Sequence, residues 1–208
     1  MLTIWGRTSS SNVMKVLWTC EELGVAYKRV DAGGAFGVTK EPAYVAKNPM
    51  SLVPTIEEED GWTLWESNSI CRYLANTHDA AGTLYPKAPR PRAEVERWMD
   101  WALGHLTGPM VTIFFTHVRL KEHERDWAAE AKARAEAGRL WSIVDRAAGG
   151  KRFLCGEAPT LADVALGPWV HRWFALPIER PELPNLARLY EGMTSRPGYA
   201  QHVAVALS

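Results

Sequence analysis

Along the first eighty residues the apolar positions change rhythm every few residues, and each change marks an element. Leu2 to Trp5 reads as a short strand. Val13, Val16, Leu17, Cys20 and Leu23 then fall at helical spacing until Gly24, a natural C-terminal cap. Ala26 to Val30 predicts a second strand, which a helical crossover places parallel to the first. Residues 32–39 carry Gly33, Gly34 and Gly37 and read as a loop, with a short helix from about Glu41 to Ala46. Thr55 to Glu58 and Trp62 to Trp65 flank Asp60-Gly61, a hairpin signal. A helix from Glu66 to about Thr77 closes this α/β unit.

The rhythm then stops. Residues 80–91 read as a linker, because Pro86, Pro89 and Pro91 interrupt regular structure. From Arg92 onward no strand pattern appears. Val95, Trp98, Met99, Ala102 and Leu106 repeat at helical spacing, and the mixed charges of 124–148 read as a solvated helix face. Thr160-Leu161-Ala162-Asp163 is a capping box that opens an apolar helix through Val164, Leu166, Trp169 and Val170. Pro168 inside that helix predicts a kink or a shortening. Leu183 to Met193 predicts a further helix, ended by Ser195-Arg196-Pro197-Gly198.

Composition narrows the class. The 208 residues carry 24 basic and 24 acidic side chains and a formal net charge of zero, so nothing predicts a grip on nucleic acid or anionic lipid. No apolar run approaches the roughly 20 residues that cross a bilayer, and Met1-Leu2-Thr3-Ile4-Trp5 lacks the pattern of a signal peptide. Cys20, Cys71 and Cys155 show no metal-like spacing and suggest reduced thiols, hence a cytoplasmic protein. The histidines show no zinc spacing, so no metal site is expected. No Cys-x-x-Cys occurs, and the Gly33-Gly34-Ala35-Phe36-Gly37 run lacks the Gly-Lys-Ser/Thr of a phosphate loop.

Two segments carry candidate chemistry. Leu52-Val53-Pro54-Thr55 reads either as the end of a loop or as a clamp. In the clamp, a cis bond before Pro54 turns the backbone N–H and C=O of Val53 outward, to pair with an extended peptide as a sheet edge does. Glu66-Ser67 opens a helix whose orphan N–H groups favour a carboxylate. Thr8-Ser9-Ser10-Ser11-Asn12 lies where the first strand turns into the first helix. One hydroxyl there suffices to cap the helix. Another, pointing outward, would donate to a sulfur anion and lower its pKa; two units, roughly 3 kcal/mol, make a thiolate dominant at neutral pH.

These segments resemble the cytosolic glutathione S-transferases. Ser10-Ser11-Asn12-Val13-Met14-Lys15-Val16 and Glu21-Glu22-Leu23-Gly24 are similar to the serine-type members, and Asn48-Pro49 through Pro54-Thr55 with Leu64-Trp65-Glu66-Ser67 match the glutathione-site motif. Phe153-Leu154-Cys155-Gly156, Pro159 to Asp163 and Pro184 to Arg188 resemble the family's later helices. The resemblance implies a thioredoxin-like domain over 1–79, the linker over 80–91 and an all-helical domain over 92–208 that supplies the electrophile pocket. It implies glutathione as co-substrate with no tightly bound cofactor, and a homodimeric, cytoplasmic detoxification enzyme. Carried over by position, Ser10 activates the thiol, with Ser9, Ser11 and Asn12 as neighbours able to take the role. Val53, before cis-Pro54, meets the cysteinyl backbone, Glu66 and Ser67 meet the γ-glutamyl group, and Lys40 meets the glycine carboxylate. The expected reaction is conjugation to small, mostly apolar electrophiles. The rivals are disulfide or peroxide reduction on the same site, and a glutathione-binding module without turnover.

Overall fold

In the computed structural model, which describes residues 1–208, the N-terminal part is a four-stranded sheet of order β2-β1-β3-β4. β1 (Leu2–Trp5) and β2 (Tyr27–Val30) are parallel, with Leu2 opposite Tyr27. The connection between them is α1 (Ser11–Leu23), as a parallel pair requires. Gly24 stops that helix in the left-handed region, φ 64°, and its N–H returns to the carbonyls of Cys20 and Glu21. β3 (Thr55–Glu57) runs antiparallel to β1, and β4 (Thr63–Trp65) antiparallel to β3. The hairpin strands are one residue shorter at the turn than the sequence pattern suggests. There the Asp60 carboxylate takes the Trp62 N–H at 3.0 Å, and the side chain thus bonds what a ladder would have bonded. α2 (Pro42–Val45) and α3 (Ser67–His78) complete the thioredoxin-like arrangement.

Everything after it is helical. α4 (Pro89–Trp101) runs through a π-helical turn at Ala102–Leu106 into α5 (Thr107–Phe114), which ends in a second π-turn at Phe115–Arg119. α6 (Trp127–Ala147), α7 (Leu161–Ala175), α8 (Pro184–Thr194) and α9 (Pro197–His202) follow. The fold is therefore the one the resemblance implies: a mixed sheet with helices, then an all-α unit.

Two prolines behave differently from the sequence expectation, and a third leaves its helix at full length. Pro89 is the first residue of α4, so helix begins inside the segment read as linker; a helix start has no use for the missing N–H. Pro197 likewise starts α9 rather than only ending α8. Pro168 does not shorten α7, which runs on to Ala175, buried on every side except at its last turns.

The two units share one core. α1 is buried from Val13 to Cys20 because it packs on the sheet and α3 on one side and on α7 and α9 on the other. Gly167 lets α7 approach: a Cβ there would lie 2.6 Å from the Trp18 ring. The Trp18 ring meets Tyr199 edge-on at 4.8 Å, and Tyr199 donates its hydroxyl to the Gly167 carbonyl at 2.9 Å. Trp18 Nε1 donates to Glu22 at 2.8 Å, and Glu22 is held in turn by the Arg196 guanidinium. The C-terminal half of α1 is thereby fixed against the helical unit, and the cleft between the units opens at the other end of the helix.

Candidate functional site: a cleft at the start of α1

A cleft of about 260 Å³ lies between the units. One wall comes from the sheet unit: Arg7, Ser9 to Asn12, Gly33, Gly34 and Ser51 to Val53. The facing wall comes from the helices: Val111, Phe114, Phe115, Arg119, Trp169 and Arg172.

Ser10 is the N-cap of α1, with extended backbone, φ −86° and ψ 121°, yet its hydroxyl caps nothing. The simple capping role that the sequence allows is not the one it plays. Its carbonyl accepts the Met14 N–H at 2.9 Å, while the N–H groups of Ser11, Asn12 and Val13, orphans of the first turn, find no partner within the chain. Ser9 and Ser11 flank it on the same wall; the Ser9 carbonyl accepts from Arg172 at 3.2 Å.

Asn12 is oriented by its neighbours. Its Oδ1 accepts from the Lys15 ammonium at 3.1 Å and from the Ser67 hydroxyl at 3.1 Å. An ammonium only donates, so the oxygen must face it, and the Nδ2 donors are left for the solvent side of this exposed residue. Lys15 is buried at 4% exposure and also reaches Asn68 Oδ1 at 3.5 Å. Burial pulls its pKa down to about 8, against an upward pull from its neighbours Cys71 and Glu66. The sequence reading gives Lys15 no role of its own. A lysine between Met14 and Val16, on the buried face of an apolar helix, is the signal that could have found it.

Val53 precedes a cis peptide bond to Pro54, as expected. Its N–H and C=O enter no hydrogen bond within the chain. The loop that presents them is tied by a closed polar network. Tyr44 donates to the Leu52 carbonyl at 2.6 Å and shares a 2.8 Å bond with Thr55 Oγ1. Asn48 Nδ2 donates to the same two acceptors at 2.9 and 3.0 Å. Every proton in that set has an acceptor if Thr55 donates to Tyr44.

Glu66 and Ser67 start α3. Glu66 is exposed, holds φ 72°, and caps nothing. Ser67 is buried at 6% exposure and spends its hydroxyl proton on Asn12. Neither lines the main cleft, although that hydrogen bond joins them to it. Ser51 (φ 56°) and Val38 (φ 69°) are the other non-glycine residues with left-handed backbone, a costly conformation most of all for a β-branched side chain. Ser51 lines the cleft and Val38 the hollow beside it. Lys40 lines a neighbouring hollow with Val38 and Glu41, sharing Gly34 and Thr39 with the cleft but not entering it.

The protein's own sulfurs are poor nucleophiles. Burial pushes Cys20 up to about 12, and Cys71 and Cys155 each up to about 11. Any thiolate in the cleft must therefore arrive with a ligand.

Similarity to known proteins agrees with this geometry. The "Glutathione S-transferase, N-terminal domain" family matches residues 9–77, and the "Glutathione S-transferase, C-terminal domain" family matches residues 93–192. Glutathione S-transferase GstB of Escherichia coli is 36% identical over 209 residues, spanning both chains completely. A theta-class glutathione S-transferase from Xanthomonas axonopodis pv. citri, solved with glutathione bound, is 45% identical and superposes with a TM-score of 0.94, covering 100% of this chain and 99% of its own. Human elongation factor 1-gamma is 28% identical over 79% of this chain, a match that covers 37% of that protein. The chain belongs to the glutathione S-transferase family. It is an enzyme of that family, built from its N-terminal and C-terminal domains in a single chain.

Proposed function

We propose that this transferase binds glutathione along the sheet-side wall, ionises its thiol at the start of α1, and conjugates it to a small electrophile held by the helical wall. The observation that carries the reading is the Ser10 hydroxyl, an N-cap side chain without a cap to make, beside free first-turn N–H groups. The Asn12 amide, turned by Lys15 and Ser67, adds a second donor at the same turn. Donors that bind a sulfur anion better than the neutral thiol lower its pKa, and the helix end acts in the same sense.

The remaining groups suit the rest of the tripeptide. Val53 offers an unpaired N–H and C=O to the cysteinyl backbone. The first turn of α3 offers N–H groups to the γ-glutamyl carboxylate, and the Glu66 carboxylate offers a partner for its amino group. Ser67 then contributes through its backbone, because its proton is already given to Asn12. Lys40, beside the cleft, serves the glycine carboxylate by charge. Catalysis is thiolate stabilisation plus proximity. Two such chains pair as a dimer in this reading, which light scattering checks.

Titrating the protein with glutathione in a calorimeter, then following conjugation of a chlorinated nitrobenzene, tests the reading. Saturable binding with turnover supports it. Binding without turnover on any electrophile would favour the module reading.

A further inference from the structure

Three guanidinium groups converge on the cleft without an acid to meet them. Arg7 lies over Gly33 and Gly34, where a Cβ would come within 3.0 to 3.2 Å of its side chain. Arg119 stands at the end of the second π-turn, exposed. Arg172 projects from the apolar helix α7 and is only 5% exposed. None of the chain's ion pairs includes any of them. The cleft is lined by no aspartate, glutamate or lysine that would change the balance. The guanidinium of Arg172 stacks on Phe114 at 3.8 Å and Trp169 at 5.0 Å, and it spends one N–H on the Ser9 carbonyl.

That arrangement is costly as it stands. A buried cation is ordinarily paired, and stacking on aromatic rings offsets only part of its lost hydration. Burial, then Arg119, then Arg7, lower the Arg172 pKa to about 10, so it remains charged at neutral pH while feeling both neighbours. A ligand anion is what relieves all three at once. Arginine forks also match a planar carboxylate in shape. The aromatic side chains beside them suit the body of the same ligand.

Resting on the glutathione reading above, we propose that the co-substrate half of the cleft takes a carboxylate-bearing electrophile, gripped by Arg172 and Arg119 with Arg7 at its border. In the reaction, the thiol proton has left to solvent, the sulfur forms a bond to the carbon carrying the leaving group, and the carbon–halogen bond breaks with both electrons. The halide departs as the anion and the carboxylate stays on the arginines. This departs from the mostly apolar co-substrate that the family resemblance implies.

The test compares a neutral chloronitrobenzene with the same ring carrying a carboxylate, in the wild type and in Arg172→Met and Arg119→Met. The wild type is expected to prefer the carboxylate in kcat/KM, and each variant to lose at least tenfold of that preference. Arg119 is exposed and makes no hydrogen bond, so its variant reads out even if Arg172→Met fails to fold. Equal kcat/KM for the two chlorides in the wild type would overturn the inference. So would arginine variants that raise the KM for glutathione as much as that for the carboxylate, since the cluster would then belong to glutathione. Benzoate alone, without glutathione, is expected to raise the melting temperature of the wild type and less that of Arg119→Met; no shift overturns the subsite. Failure of glutathione to bind removes the thiolate reading instead, and the two failures are distinct.

Discussion

The two walls of the cleft are built in opposite ways. The sheet side is local: Ser10, Asn12 and Val53, with Glu66 and Ser67 behind them, sit on helix starts and a loop within sixty residues, and their polar groups are backbone N–H and C=O, hydroxyl, amide and one carboxylate. The helical wall is assembled from α5, its terminal π-turn and α7, and its polar groups are unpaired arginines on an aromatic floor. The first suits one extended peptide with a sulfur in the middle; the second suits a class of small molecules defined by charge. In the proposed reading one wall fixes the reagent and the other chooses its target.

Removing a single donor from the first wall is expected to have the largest effect. Ser10→Ala should lower kcat/KM for any electrophile by about 100-fold, the scale of a lost anion-stabilising donor. Asn12→Ala should lower it by about tenfold, and if the two losses exchange places the sulfur faces Asn12 instead. Initial rates at fixed glutathione decide between them.

The comparison also depends on the walls staying docked. Asp163, fully buried, accepts from the Leu154 and Thr160 N–H groups at 2.9 and 2.8 Å and from the Thr160 hydroxyl at 3.0 Å. Asp163→Ala leaves two backbone donors buried without partners and should cost about 3 kcal/mol, read from urea midpoints. Burial raises its pKa to about 6 even so, above the unfolded value near 4. Its charge is thus a net burden that grows as pH rises from about 4 to 6. Gly167→Ala puts a methyl group against Trp18 and should cost about 2 kcal/mol.

Much of the first wall was readable in sequence because each of its groups does something a local pattern encodes. Ser10 is a helix start, Val53-Pro54 a dipeptide, and Glu66-Ser67 another helix start. What was not readable there is the support. Tyr44, Asn48 and Thr55 close their network across a loop, and Lys15 meets Asn68, and Ser67 meets Asn12, only after α1 and α3 pack. The second wall was hidden more deeply. Arg119 and Arg172 are far apart along the chain, and nothing brings them to Arg7 of the first wall until α5 and α7 fold against the serine turn. A lone arginine inside the apolar run of α7 was the visible anomaly.

Two smaller effects sharpen the contrast. Tyr44→Phe removes the hydroxyl that ties Leu52 to Thr55; it should cost about 1 kcal/mol of stability and raise the KM for glutathione more than that for the electrophile. Lys15→Met tests the orientation of Asn12. The folded state holds the Lys15 proton less well than the unfolded chain, so its charge is a full burden below about 8, one that fades as pH climbs toward the unfolded value near 10.4. The wild type should therefore gain stability relative to Lys15→Met between pH 8 and 10, while the variant conjugates more slowly at pH 7.

The account rests on a neutral hydroxyl turning bound glutathione into a thiolate. Ultraviolet titration of the thiolate in the binary complex reads that directly. The pKa of the bound thiol should fall roughly 2 units below the ordinary value near 8.5, and Ser10→Ala should restore most of the difference. A bound thiol that titrates like the free one in the wild type would contradict the account.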